Sequence, residues 1–263
     1  MTAPFKNVKT ATGTAAGGSI APLKNVAALM TLIETLRNRA IGLPGIGVFS
    51  GHSGYGKSVA AQYAMNRTGA IYVEVRDYWR QKRLCEALLN ELGEVRPRGT
   101  VARMMDDIIY RMSDAPDRPL IIDEADKLVD GRMIELVRDI HETTQAPVIL
   151  IGEELLPKKL EAHERVHNRV LDFQLANPCD ADDTAALARL LVPDLTLSAD
   201  LLDDVRTRTA GKARRIATTL HEIGQYARNH GLTEIDRASY GGRIFTGETP
   251  IRARAGKTSG GRN

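Results

Sequence analysis

The stretch "GHSGYGKS", Gly51 to Ser58, puts two glycines, a lysine and a hydroxyl at the offsets of G-x-x-x-x-G-K-[ST] with no mismatch. A loop of this kind wraps backbone N–H groups around phosphate oxygens, and a Cβ at the glycines would block that approach. On this reading Gly51, Ser53, Gly54, Tyr55 and Gly56 form the cradle, Lys57 reaches the β- and γ-phosphates of ATP, and Ser58 binds Mg²⁺. A helix opening at Lys57 would aim the positive end of its dipole at the same anion. The flanks fit that context. "IGVFS" (Ile46 to Ser50) is a short apolar run suited to a buried strand, and "KSVAAQYAM" from Lys57 contains good helix formers and no breaker.

Downstream, "LIIDEAD" offers the second half of a nucleotide site. Four apolar residues bury a strand, and Asp123 emerges at its carboxyl end, where it can hold Mg²⁺ directly or through water. The adjacent Glu124 is placed to polarise a water as general base. The spelling "DEAD" also occurs in helicases with two tandem nucleotide-binding folds, but 263 residues leave room for one such fold and a lid. Hydrolysis needs positive charge on the γ-phosphate as well. Two regions can supply it: "RVHNRVLDF", with Arg165 and Arg169, and "GKARRI", with Arg214 and Arg215.

Between these motifs, strand-like runs alternate with helix-like ones. "AIYVEV" (Ala70 to Val75), "PLIIDEAD", "APVILIG" and "RVLDFQL" (Arg169 to Leu175) join "IGVFS" as five strands. Helical segments lie between them, and one precedes the first strand, with Leu23, Val26, Met30 and Ile33 on one face. The fold class expected is α/β: a parallel five-stranded sheet covered by helices on both faces. After Pro178 the strand signal stops, which predicts a small all-helical lid. The organisation expected is a flexible arm over 1–21, a nucleotide-binding domain over 22–177, a lid over 178–240 and a disordered basic tail over 241–263. That tail carries Arg243, Arg252, Arg254, Lys257 and Arg262 against Glu248.

Composition sets the remaining bounds. A charged fraction of 26% and a net charge of +3 fit a soluble globular chain with a mild basic bias. The two cysteines, Cys85 and Cys179, make neither metal spacing nor a disulfide framework, so a cytoplasmic setting is expected and both read as buried thiols. No apolar run approaches the roughly 18 residues of a membrane span, so no membrane partner is expected. His141, His163 and His167 show no metal spacing and read as structural or surface residues, and Trp79 reads as a packing residue.

The phosphate loop, "IIDEAD", an arginine before the fifth strand and "GKARR" in a helical lid together resemble the AAA+ ATPases. Within these, "GVFSGHSGYGKS", "PLIIDEADKL" and "LVRDIHETTQAPVILIGEELL" are similar to the transposition helper ATPases, the group of the phage Mu B, TnsC and TniB proteins, and more distantly to the secretion ATPase ExeA. The resemblance covers roughly Leu23 to Asn229. It implies a homo-oligomer, ring or helical filament, assembled with ATP on double-stranded DNA, which recruits or activates a transposase in a bacterial cytoplasm, at the nucleoid. Carried over by position, Arg169 matches the arginine finger that reaches a neighbour's nucleotide. Arg214 matches the sensor-2 arginine, with Arg215 the alternative. At the polar sensor after the fourth strand this chain departs from the family and has "IGEE", with Glu153. The Mu B protein carries a DNA-binding helical domain ahead of its ATPase; here about two dozen residues precede the first helix, which leaves DNA contact to the core. The candidates are Arg80, Lys82 and Arg83 in "RDYWRQKR" (76–83), with Arg96, Arg98 and Arg103 after the next helix. Two other functions stay open at this point: an ExeA-like or loader-like ATPase acting on protein partners, and a small-molecule kinase. The kinase is disfavoured by the lid and by Glu124 poised for water.

Overall fold

A computed structural model describes residues 23–248. The expected arm over 1–21 and the tail from residue 249 onward lie outside the described residues. The chain opens with α1 (Lys24–Arg37), β1 (Ile46–Ser50), α2 (Lys57–Thr68), β2 (Ile71–Glu74), α3 (Gln81–Glu91) and α4 (Val101–Ser113). It continues with β3 (Leu120–Asp123), α5 (Asp126–Asp130), α6 (Ile134–Thr144), β4 (Val148–Gly152), α7 (Leu156–Glu161), α8 (Glu164–His167) and β5 (Val170–Leu175). The C-terminal region holds α9 (Ala181–Leu191), β6 (Thr196–Leu197), α10 (Ala199–Arg208), α11 (Ala213–His230) and β7 (Glu234–Ile235).

The five long strands form one parallel sheet in the order β2-β3-β4-β1-β5, so β1 lies in the interior between β4 and β5. Period-two alternation sends each central strand into two cores. Phe49, Ile121, Ile149 and Ile151 join α1, α2 and the C-terminal helices on one face. Ile46, Val48, Ile122, Val148 and Leu150 join α3, α4 and α6 on the other. Both faces are covered, so the strands read in sequence as continuous apolar runs. Each fully buried Leu, Ile or Phe contributes about 1.5–3 kcal/mol of transfer free energy. Gly47 lets α1 close onto the sheet, since a Cβ there would lie 2.9 Å from Leu36 Cδ1.

Three features go beyond the sequence reading. The short α5 follows the acidic strand end directly. The C-terminal region, expected to be all helical, also carries a parallel pair of two-residue strands, β6 and β7, with Thr196 opposite Glu234. Residues 241–248, assigned from sequence to the basic tail, pack along α11: Ile244 is buried and the Phe245 N–H donates to Thr219 Oγ1 at 3.1 Å. Both thiols are buried, and burial pushes Cys85 up to about 11 and Cys179 up to about 12.

His141 is a core residue. Gly45 N–H donates to its Nε2 at 3.2 Å, and Nδ1 lies 2.8 Å from the Ala146 carbonyl, which fixes the neutral tautomer with the proton on Nδ1. Burial lowers its pKa below the ordinary value. Its contribution to stability is therefore complete above the unfolded value, near 6.5, and is lost as pH falls from there toward the folded value. The unfolding free energy should fall on acidification below about pH 6.5, by at most about 1.4 kcal/mol per pH unit from this one proton, and the melting temperature with it. Replacing His141 by Asn should flatten that part of the curve; an unchanged acid limb would show that His141 does not govern it.

Candidate nucleotide site

The interior position of β1 delivers the loop Gly51–Gly56 to the carboxyl edge of the sheet, where α2 begins. Gly54 and Gly56 adopt φ +89° and +88°, backbone that L-residues rarely take, and Gly56 is the N-cap of α2. Gly51 has a different reason to be glycine: a Cβ would stand 2.9 Å from the Ala176 carbonyl. A cleft of about 250 Å³ opens over this loop, and its walls include Ser53, Gly54, Gly56, Lys57 and Ser58. Gly51 and Tyr55 lie behind the wall. The Tyr55 carbonyl accepts from Asn25 Nδ2 at 2.8 Å, and the same buried amide bonds both the N–H and the carbonyl of Asn177. Asn25, which the sequence reading passed over, thus ties the loop to the chain where it leaves the sheet.

Lys57 Nζ donates to the Gly51 and His52 carbonyls at 2.5 and 2.9 Å. Burial lowers its pKa, opposed by Asp123, Glu153, Glu124 and Asp126. Asp123, Glu124, Glu153 and Arg214 line the same cleft, so residues spread over more than 150 positions meet there.

Asp123 is 3% exposed, and both its oxygens are held: Oδ1 accepts from the Glu124 N–H at 2.9 Å and Oδ2 from the Tyr72 hydroxyl at 3.0 Å. Burial and the Asp123 carboxylate push the Tyr72 phenol far above its ordinary pKa, so it stays a donor. Glu124 sits at φ 58°, in the left-handed region, and Lys127 Nζ lies 3.2 Å from its Oε2. A non-glycine residue held there stores strain, as happens at functional sites. Asp126, the last letter of "DEAD", is buried and accepts the Glu153 N–H at 2.6 Å, which pins the loop after β4. Gly152 is required beneath it: a Cβ would clash with Asp126 Oδ2 and Leu156.

The C-terminal region closes the cleft. Arg214 N–H donates to the Gly54 carbonyl at 3.3 Å, and Leu187, Ala213 and Ala217 face Leu23 and Val59 as an apolar wall suited to a purine. Arg215 points elsewhere, with its guanidinium packed against Gly247.

The residues fit Mg-ATP. The loop geometry suits phosphate oxygens, and Ser58 and the buried Asp123 carboxylate are oxygen donors of the kind Mg²⁺ takes together with phosphate. Among the described residues no group of three or more His, Cys, Asp or Glu side chains converges to hold a metal alone.

Arg169 lies apart from this cleft. It immediately precedes β5, and its carbonyl accepts from Ile46 at the start of β1, so it stands at the amino edge of the sheet, about 16 Å of strand from the loop. There its Nη2 and Nε contact Glu142 Oε1 at 2.7 and 2.8 Å. Arg165, on α8, is exposed.

The six candidate DNA contacts are all exposed. Arg83 is engaged, ion-paired with Glu86 at 3.3 Å and stacked over buried Trp79 at 5.5 Å. Arg111 near the end of α4 pairs with Glu94 and bonds the Leu92 carbonyl at the end of α3. The two helices therefore run side by side in one direction, and the loop carrying Arg96 and Arg98 returns over the surface. Arg103 in the first turn of α4 comes to the same end as Lys82 and Arg83 in the first turn of α3.

No helix among the described residues is long and apolar enough to cross a membrane. Residues 41–160 match a family model described as an AAA domain. No curated protein matches the sequence. Among solved structures, the chain is similar to the Orc1 protein of Aeropyrum pernix, solved in complex with DNA, with a TM-score of 0.62 and 21% identity over 82% of this chain and 63% of that one. It is also similar to Cdc6p of Pyrobaculum aerophilum, with a TM-score of 0.57 and 16% identity over 80% of this chain and 62% of that one. The chain thus spans less than two thirds of either. The match over residues 41–160 and the likeness to these two structures agree on one architecture, the AAA+ P-loop fold.

Proposed function

We propose that this protein is an ATPase that binds duplex DNA with little sequence preference and assembles on it in an ATP-dependent way. The observation that carries the proposal is the convergence of loop, Asp123, Glu124 and Arg214 on one cleft while Arg169 stands at the opposite edge of the sheet. In that position Arg169 is out of reach of its own subunit's cleft, which supports the reading that it serves the site of another copy in an oligomer, ring or filament. Lys57, Ser58 and Asp123 hold Mg-ATP. The metal, when bound, draws charge from the phosphates; Glu124 orients the attacking water and takes its proton, and the neighbour's Arg169 steadies the charge that develops on the γ-phosphate.

The exposed cations at the first turns of α3 and α4 support phosphate-backbone contact. The structural neighbour solved with DNA supports the same reading. The finer proposal, that the assembly recruits or activates a transposase, rests on the motif resemblance given above.

The test is ATP hydrolysis with and without a random-sequence duplex. Stimulation by duplex is expected, as is loss of assembly on DNA by Lys57→Ala, whose ATP affinity should fall by about 10²-fold because a partly buried charge on the phosphates is gone. Hydrolysis indifferent to DNA would favour a protein partner, and undiminished ATP affinity in Lys57→Ala would remove the nucleotide reading.

A further inference from the structure

We propose that the cleft between the turn after β2 and the turn after α5 binds one backbone phosphate of duplex DNA, gripped from two sides by Arg80 and Arg132. This rests on the DNA reading above and extends it to a residue that the sequence did not single out.

The cleft measures about 340 Å³ and is lined by Asp77, Arg80, Lys127, Asp130, Gly131 and Arg132. It lies beyond the carboxyl ends of β2 and β3, at the end of the sheet where the nucleotide loop also lies. Its carboxylates are already engaged. Asp130 pairs with Lys159 at 2.8 Å and Asp77 lies 3.8 Å from Lys127, which is itself paired with Glu124. Arg80 Nη1 donates to the Trp79 carbonyl at 2.7 Å, which roots the side chain and leaves its other N–H groups for a ligand. Among the described residues neither Arg80 nor Arg132 forms an ion pair, and both are exposed.

The backbone at Arg132 is an independent observation. The helix α5 ends in a Schellman motif: Arg132 N–H bonds the Val129 carbonyl at 3.0 Å, and Met133 N–H bonds the Leu128 carbonyl at 2.8 Å. That motif puts its left-handed residue one past the cap, where glycine is favoured. Here the glycine is at the cap, Gly131 with φ −83°, and the left-handed position at φ 55° is occupied by Arg132. Gly131 is accounted for by space, since a Cβ would stand 2.8 Å from the Lys127 carbonyl. Among the described residues no hydrogen bond or ion pair of its side chain accounts for an arginine at the strained position, whereas a planar, multiply donating cation lining an open cleft suits a phosphate. The cleft has no apolar wall for a base, and exposed Lys82 continues the charge beside Arg80, so the phosphate expected is one in a polymer rather than a free nucleotide.

The experiment titrates the full chain, with ATP, onto a fluorescent random-sequence duplex over a series of salt concentrations, for the parent, Arg80→Ala, Arg132→Gly and the double variant. If the two arginines share one phosphate, each single variant weakens binding several-fold and leaves the log–log salt slope nearly unchanged. The double variant then loses about 0.9 of slope, the signature of one phosphate contact. Arg132→Gly should melt no lower than the parent, because glycine takes the left-handed position freely, so its weaker binding would not arise from unfolding. A lower melting temperature would make Arg132 structural and overturn the proposal. So would a double variant with the parent's slope, or slopes falling by about 0.9 in each single variant, which would mean two separate phosphates. A parent chain that does not bind the duplex at all would instead overturn the DNA reading beneath it.

Discussion

Replacing Glu124 by glutamine is expected to keep ATP bound and to lower turnover by about 10²–10⁴-fold. The amide preserves volume and one acceptor oxygen but cannot take a proton, so the loss falls on kcat rather than on binding. The structure sharpens the expectation. Glu124 is held at φ 58°, with its carboxylate 3.2 Å from Lys127, while its own N–H is bonded to Asp123. The substitution therefore changes the ion pair with Lys127 but leaves the Asp123 carboxylate held by the Glu124 N–H and by Tyr72. Complexes with DNA and ATP should accordingly outlast those of the parent. Single-turnover hydrolysis together with nucleotide binding measures both quantities; turnover equal to the parent's would show that Glu124 is not the base.

What the sequence made legible, and what it did not, follows from how local each feature is. The loop from Gly51 to Ser58 was legible because its function needs adjacent residues at fixed offsets, and the flanking strand and helix are its immediate neighbours. Asp123 was legible for the same reason, as the end of an apolar run. Tyr72 was not. Its role depends on β2 lying beside β3, and strand order is set by crossovers that no single strand encodes. Asp126 was visible as a letter of the motif, but its buried contact with the loop after β4 depends on a strand 22 residues further on. Asn25 is one polar residue on an apolar helical face, and only the fold shows that three backbone groups from two distant segments meet it. The small β6–β7 pair escaped notice because two residues give no periodicity. The packed start of the supposed tail escaped because its anchor is essentially one side chain, Ile244. The sequence put Arg214 ahead of Arg215 only by resemblance; the helix rotation is what brings Arg214 to the cleft and turns Arg215 toward Gly247.

Arg169→Ala is expected to leave ATP binding to a single subunit in place and to cut assembly-dependent turnover by about 10³–10⁵-fold, the typical worth of an arginine supplied in trans to a γ-phosphate. The geometry excludes the simpler alternative that Arg169 acts on its own nucleotide, because a full strand length separates it from the loop. Removing it also frees Glu142, which retains a contact with Arg138 at 3.7 Å, so the local structure keeps a counter-charge for that carboxylate and need not unfold. Mixing subunits makes the sharper test. An Arg169→Ala subunit still has Glu124, and a Glu124→Gln subunit still has Arg169. In a head-to-tail assembly one ordering of the pair rebuilds a complete site. Random mixing at equal amounts should therefore restore roughly a quarter of the junctions, since each junction draws its two halves independently. Activity should rise with the proportion of mixed junctions and peak near equal amounts. If mixed assemblies form and turnover stays at the level of the single variants, Arg169 does not complete a shared site, and exposed Arg165, four residues earlier on α8, becomes the arginine to remove next.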